Sequence, residues 1–266
     1  MLPDLLDSLL RPSACRRFAG EPASRAAAYV AFLAILFVGA LGVAVKLRLA
    51  PVLDETFVWL ETSMPSLHIA GGQVTASPPG PLRLEHPRLK EIALMIDTTR
   101  KDPVTPQMMT DQKVVGYLTS NALYLQNQGA GRVEVLDLSK PGERPVTLDA
   151  ESYKEMQRAF DWVFYPSLLL MFFILFSISL AFFALVYALV GLLLSSTAGA
   201  SLGFGALYRL ALHAQTAAAL LRCIDTLLPV PIPFLGLATP VVSLVYLWLA
   251  VRASAAPSSP PPAPAA

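Results

Sequence analysis

Ionisable side chains that could do chemistry stand out in one apolar segment, residues 204–228. Arg209 and His213 lie four residues apart and Arg222 and Asp225 lie three apart, so each pair shares one face of a helix. Ionisable groups are costly inside a membrane unless they are paired or hydrated. We therefore expect Arg222 and Asp225 to form an ion pair and Arg209 to extend toward the membrane surface. The alternative is a path for an ion or an anionic lipid, lined by these four side chains.

A second candidate is Asp97-Thr98-Thr99, which follows the apolar run of residues 92–96. A hydrophobic run followed by Asp-Thr-Gly is typical of aspartic proteases, in which two carboxylates share a proton and the glycine lets the loop turn. Thr99 stands in place of that glycine, and the sequence holds no second matching segment. We therefore favour a turn at a strand exit, in which Asp97 and the threonines bond backbone amides.

The remaining reactive residues give weak signals. His68 and His86 are expected at the surface, and the two cysteines, Cys15 and Cys223, are expected to be inert thiols. The sequence contains no phosphate-binding loop, nucleophile elbow or metal-binding helix motif. No catalytic residue, metal or cofactor is predicted.

The composition places the chain in a membrane. Hydrophobic residues make up 55% of the chain and charged residues 15%, and the mean hydropathy is +0.55. These values lie outside the range of soluble domains. The formal net charge of +1 gives no electrostatic reason to expect nucleic acid as a partner. The lipid bilayer is the partner that the composition predicts.

Four apolar segments are predicted to cross the membrane as a helical bundle. They are residues 26–45, 162–194, 204–228 and 234–251, each long enough for a bilayer core of about 30 Å. Arginines before the first segment place the N-terminus in the cytoplasm, and four crossings return the C-terminus to that side. The predicted organisation is a cytoplasmic amphipathic segment (1–25), a first span (26–50), an extracytoplasmic domain (51–159), a three-span membrane domain (160–252) and a disordered proline-rich cytoplasmic tail (253–266).

Residues 51–159 hold most of the charge and predict an α+β domain of mostly antiparallel strands. Hairpins are expected around Gly71-Gly72, where positive φ is allowed, and around Thr119-Ser120-Asn121. Further short strands are expected near residues 82–84, 92–96 and 133–138. Asp149 is expected to cap a helix that continues into the second span with a bend at Pro166.

Two segments of this domain resemble a bacterial membrane family of unknown function, domain-of-unknown-function family 1189. They are Met64-Pro65-Ser66-Leu67-His68-Ile69-Ala70-Gly71-Gly72 and Ile96-Asp97-Thr98-Thr99, and the resemblance covers nearly all of the chain except the proline-rich tail. The membrane half, with Leu207-Tyr208-Arg209-Leu210-Ala211 and Thr216, is also distantly similar to Yip-type membrane domains of trafficking and membrane-shaping proteins. Arg100 and Ala217 stand where these two patterns have glycine and proline.

The resemblance implies a transport-accessory role, because some relatives accompany maltodextrin-uptake genes, and it transfers no catalytic residue. Together with the residue patterns it predicts a multi-pass protein of the bacterial inner membrane without catalytic activity. Its outer domain would engage an envelope component, its helical bundle would engage another membrane protein or lipids, and it could form a homo-oligomer. A small-solute, ion or lipid transporter using residues of the third span is the alternative. A membrane-anchored aspartic-type protease at Asp97, completed by dimerisation, is the minor one.

Overall fold

The computed structural model describes residues 1–11, 14–88, 93–127, 132–140 and 145–255. The chain forms two compact units. We call Met1–Leu47 with Pro166–Ala266 the membrane unit, and Arg48–Tyr165 the α+β unit.

Ten α-helices are found in the described residues. In chain order they are α1 (Leu2–Leu10), α2 (Cys15–Ala19), α3 (Ala23–Arg48), α4 (Ala50–Ser63), α5 (Pro106–Asp111), α6 (Ala150–Ala159), α7 (Tyr165–Thr197), α8 (Phe204–Ala214), α9 (Thr216–Leu227) and α10 (Leu235–Ala255). The described strands are β1 (Ser66–Ala70), β2 (Gln73–Ser77), β3 (Leu82–Glu85), β4 (Ala93–Ile96), β5 (Gly116–Leu118), β6 (Ala122–Asn127), β7 (Arg132–Asp137) and β8 (Val146–Leu148).

Three helical segments are long and apolar enough to cross a membrane: Ala23–Arg48, Ala150–Thr197 and Leu235–Ser254. Large apolar side chains such as Ile178 and Phe182 on α7 are exposed, as a lipid-facing surface requires. These segments confirm the first, second and fourth predicted spans as helices of spanning length, and they locate the chain in a membrane.

The third predicted span, residues 204–228, is divided into α8 and α9 at Gln215, and it is not among the described helices of spanning length. Two polar side chains compete there for backbone carbonyls. The Gln215 amide donates to the oxygens of Leu180 and Ala211 at 3.0 and 3.3 Å, and the Thr216 hydroxyl donates to the His213 oxygen at 2.6 Å. Such side-chain bonds bend or end helices.

Small residues on α7 let the membrane helices pack closely. Ala184, Ala188 and Gly191 are buried, and a Cβ at Gly191 would lie 3.3 Å from Leu207 of α8 and 3.6 Å from Leu247 of α10. Without a driving force from water, membrane helices associate through such close backbone approaches. The core of the membrane unit therefore forms where α7, α8 and α10 meet.

The α+β unit contains two sheets and confirms the predicted class. A three-stranded sheet has the order β2-β1-β8, and a five-stranded sheet has the order β3-β4-β5-β6-β7. The β1–β2 hairpin turns at Gly71 and Gly72, whose φ angles are 58° and 78°, and β5 and β6 form the second predicted hairpin. All pairs are antiparallel except β4 with β5, since α5 separates these two strands in the chain.

Two apolar clusters hold the sheets. One lies around Met109 of α5 and includes Tyr117 and Tyr124 of the five-stranded sheet. The other joins the two sheets through Leu67, Val74 and Ile96 under Trp59 of α4, a helix that the sequence patterns did not predict. Strands β4 and β5 of the five-stranded sheet are thus covered on both faces.

The helix that starts at Asp149 is confirmed, because its carboxylate accepts from the Ser152 amide at 2.9 Å. Between α6 and α7 lies a π-helical turn, Phe160–Phe164, in which the Tyr165 amide donates to the Phe160 oxygen. Proline lacks an amide hydrogen and crowds the preceding turn. The irregularity expected at Pro166 is therefore found in the wider turn directly before it.

Candidate functional site

His213 lies at the centre of a buried polar cluster, which we call the His213 cluster. The side chain is 4% exposed. Its Nε2 lies 2.8 Å from Glu21 Oε1 and its Nδ1 lies 3.2 Å from Ser8 Oγ. The imidazole is stacked between Phe18, at 3.8 Å between ring centroids, and Tyr29, at 4.2 Å. Both nitrogens and both faces of the ring therefore have partners.

Hydrogen bonds extend this cluster across four helices. The Tyr29 hydroxyl on α3 lies 2.7 Å from Thr216 Oγ1 on α9 and 3.3 Å from Ser8 Oγ on α1. The Thr216 hydroxyl bonds in turn to the backbone of His213 on α8. Buried polar groups linked in this way fix the positions of the elements that carry them.

Ion pairs stabilise the N-terminal segment, residues 1–25. Asp4 is buried and pairs with Arg17 at 2.7 Å, with Arg25 at 3.1 Å and with the N-terminal ammonium at 3.2 Å. Burial acts to raise the pKa of Asp4, but hydrogen bonds from Arg25 and the ammonium, with their charges, outweigh it and hold the pKa below its ordinary value. Arg209 donates two hydrogen bonds to the Ala19 oxygen, at 3.0 and 2.8 Å.

The structure thus brings Arg209 and His213 together with residues that the sequence analysis did not assign to a site. Phe18, Ala19 and Glu21 belong to the N-terminal segment, which the sequence analysis predicted as a cytoplasmic amphipathic segment with arginines that set the topology. The signal that could have found them is the presence of three acids, Asp4, Asp7 and Glu21, in the same segment as the arginines that precede the first span.

Arg222 and Asp225 do not form the expected ion pair. Within the part of the chain that the structure describes, their side chains bond to different partners. Arg222 Nη2 donates to Thr239 Oγ1 at 3.3 Å, and Asp225 Oδ1 accepts from the Ile232 amide at 2.6 Å. Asp225 lies near the end of α9, where its carboxylate can bond an amide of the following turn instead. The cavity beside Arg222 is about 20 Å³, room for roughly one water.

Asp97 forms the strand-exit turn that was favoured over a protease site. Its Oδ1 accepts from the Thr99 amide at 3.2 Å and from the Thr99 hydroxyl at 2.6 Å, and Thr98 lies within the turn. Asp97 belongs to the α+β unit, while the four ionisable residues of the third predicted span belong to the membrane unit. Its contacts are those of a turn.

One histidine prediction is wrong. His86 is buried, with Nε2 at 3.1 Å from Thr56 Oγ1 and its ring 5.1 Å from that of Trp59, because α4 covers it. His68 is exposed as expected and lies 3.1 Å from Thr147 Oγ1. Within the described residues, no group of three or more His, Cys, Asp or Glu could hold a metal ion.

A larger space than the one beside Arg222 lies between the two sheets of the α+β unit. This inter-sheet cavity has a volume of about 370 Å³. Its walls are apolar side chains from both sheets, among them Leu67, Ile69, Val74 and Leu148 of the three-stranded sheet and Leu94, Ile96, Leu118, Leu123 and Leu125 of the five-stranded one. Leu125 is 43% exposed, so the cavity meets the surface at β6.

Three apolar helices of spanning length, polar groups partnered inside the membrane unit and a separate α+β unit together define a multi-helix membrane protein. The chain matches the family described as "Protein of unknown function (DUF1189)" over residues 2–251, and it belongs to that family. The family prediction is confirmed, while the distant similarity to Yip-type domains stays a prediction. Comparison with curated proteins and with solved structures found no match.

Proposed function

We propose that this protein is a non-catalytic accessory or scaffold protein of the bacterial inner membrane. In this proposal the α+β unit lies outside the cytoplasm and takes up an extended segment of a partner protein at β7. The partner is another membrane protein or an envelope component. The observation that carries the proposal is the exposure of two apolar side chains, Val135 and Leu136, on this edge strand.

β7 is the terminal strand of the five-stranded sheet. Val135 is 56% and Leu136 is 57% exposed, and consecutive strand residues face opposite sides of a sheet. β2, a terminal strand of the other sheet, buries Val74 and Ala76 and exposes only polar residues. β7 also carries the charged residues Arg132, Glu134 and Asp137. Edge strands are usually protected from pairing, and exposed apolar side chains such as Val135 and Leu136 favour addition of a strand from another chain.

The proposed topology has four crossings and both termini in the cytoplasm. The bent pair α8–α9 counts as the third crossing, because α10 packs against both helices. Trp162 precedes α7 and is 79% exposed, and Trp248 lies under the Arg252 guanidinium on α10. Both residues are suited to the two membrane surfaces, because tryptophan is enriched there. The arginines before α3 support a cytoplasmic N-terminus.

The contacts of the ionisable residues favour this role over transport. Arg209 and His213 bind the N-terminal segment, and Arg222 and Asp225 bond groups at the start of α10 and the turn before it. A conduction path needs polar groups that face water, and the space beside Arg222 holds about one water molecule. The Asp97 contacts likewise favour a turn over a protease.

Photocrosslinking in cells tests the proposal. A photoreactive amino acid at position 136 is expected to give a discrete adduct that is lost when Val135→Lys places a charge on the edge. The same amino acid at Thr75, exposed on β2, is the matched control and should give no such adduct. Identical adducts at both positions, or none at position 136, would contradict the proposal.

A further inference from the structure

The inter-sheet cavity is large for the interior of a small domain. Protein interiors contain few voids larger than a water molecule. An apolar cavity of about 150 Å³ is sufficient to bind benzene, and this one is about 370 Å³. It also falls within the range of roughly 300–1,000 Å³ typical of ligand pockets.

The cavity walls select for hydrocarbon. Among the described residues that line the cavity, Tyr153 is the one with a hydroxyl group and none is charged. A water molecule needs two to four polar partners, which these walls do not offer. Met64 and Met95 add flexible thioether side chains that adapt to guests of variable shape. The chemistry of the walls therefore fits an uncharged, flexible, apolar guest.

The surroundings identify the guest more closely. Three helices of this chain are apolar enough to cross a membrane, and acyl chains are the abundant apolar molecules of a membrane. In the part of the chain that the structure describes, the walls provide no cation for a carboxylate or phosphate, so a polar headgroup would remain outside. We infer that the inter-sheet cavity binds one acyl chain, from a free fatty acid or from a phospholipid.

This inference goes beyond the proposed strand addition and does not depend on it. Val135 and Leu136 are not among the residues that line the cavity. Loss of a partner at β7 would leave the cavity unchanged, and an empty cavity would leave the edge strand available. The two experiments can therefore fail separately.

Photolabelling of the full-length protein in phosphatidylcholine vesicles tests the inference. One arm uses palmitic acid with a diazirine on the chain, and the other uses phosphatidylcholine with the same diazirine on one acyl chain. After irradiation, adducts are mapped by mass spectrometry, with labelling of lipid-facing α7 as the internal reference. We expect adducts within residues 116–125, and excess unlabelled palmitic acid should suppress them relative to α7.

Two variants make the result specific. Leu125→Trp and the smaller Leu123→Phe place bulk in the cavity, and each should remove the adducts on residues 116–125. Val58→Trp, at an exposed aliphatic position on α4 outside the cavity, is the matched control and should label like the original protein. Circular dichroism checks that each variant folds.

The two probes separate the sources of the chain. Labelling by palmitic acid alone identifies a free fatty acid, and labelling by the phosphatidylcholine probe identifies a membrane lipid. Labelling of α7 without adducts on residues 116–125 in both arms would overturn the inference. So would adducts that persist unchanged in both folded filling variants.

Discussion

In each of the two units, the polarity of the interior is the reverse of the polarity of the surface. The membrane unit buries a partnered polar cluster around His213, and the cavity beside it is about 110 Å³. The α+β unit, which carries most of the charge of the chain, contains an apolar cavity of about 370 Å³ that opens at β6. The comparison teaches that ionisable side chains in an apolar segment do not by themselves mark a ligand site. Here Arg209 and His213 hold the N-terminal segment, and the room for a guest lies between the sheets.

The largest effect is expected for a substitution in the His213 cluster of the membrane unit. Phe18 is fully buried and stacks on His213, so Phe18→Ala should lower the free energy of unfolding by about 3–5 kcal/mol, as loss of a buried aromatic side chain does. Denaturant titration followed by circular dichroism measures the change. Phe204→Ala, at an exposed position on α8, is the control. Equal effects of the two changes would show that the N-terminal segment is not packed at His213.

Added bulk should distinguish the filled core from the cavity. Met109 is fully buried in the cluster on one face of the five-stranded sheet, so Met109→Phe should cost about 1–3 kcal/mol through overpacking. Leu123→Phe should instead be neutral or raise the free energy of unfolding by about 0.5–2 kcal/mol, as cavity filling does. Denaturant titrations of the two variants make the comparison. Destabilisation of similar size in both would mean that the cavity has no usable space.

A smaller effect concerns the pH dependence of the N-terminal segment. The pKa of Asp4 lies below its ordinary value of 3.8, so its ion pairs stabilise the folded state fully above that value. This contribution is lost as the pH falls through the lower pKa of the folded state. Hydrogen exchange of α1 should therefore accelerate on acidification in the original protein. Asp4→Asn should remove the part of this change that Asp4 causes, and an unchanged profile in that variant would contradict the assignment.

The smallest effect is expected at the Asp97 turn. Thr99→Ala removes one side-chain hydrogen bond to Asp97 and should cost about 0.5–1.5 kcal/mol, the usual net value of such a bond. Denaturant titration measures this loss. A protease at Asp97 predicts a second result, because Asp97→Asn would abolish its cellular activity. If only stability changes, the turn interpretation holds.

Features set by neighbouring residues could be predicted from the sequence. The turn at Gly71-Gly72 follows from paired residues that tolerate positive φ, and Asp149 caps α6 through an amide three residues away. The three spanning helices follow from continuous apolar runs. In each case the cause lies within a short stretch of chain.

Features that depend on distant residues could not be predicted. Glu21 and His213 are 192 positions apart, and no local pattern indicates that a histidine will meet that carboxylate. The break at Gln215 depends on the Leu180 carbonyl of another helix. The inter-sheet cavity depends on how two sheets pack, and the burial of His86 depends on α4, which the patterns did not predict.

Hydrogen exchange of residues 1–11 tests most directly whether the His213 cluster holds the N-terminal segment. The full-length protein in phosphatidylcholine vesicles is compared with His213→Leu, which removes both hydrogen bonds of the ring, and with Asp225→Asn as the control. We predict slow exchange in the original protein and in Asp225→Asn, and fast exchange in His213→Leu. Equally fast exchange in all three, or equally slow exchange in all three, would contradict the account.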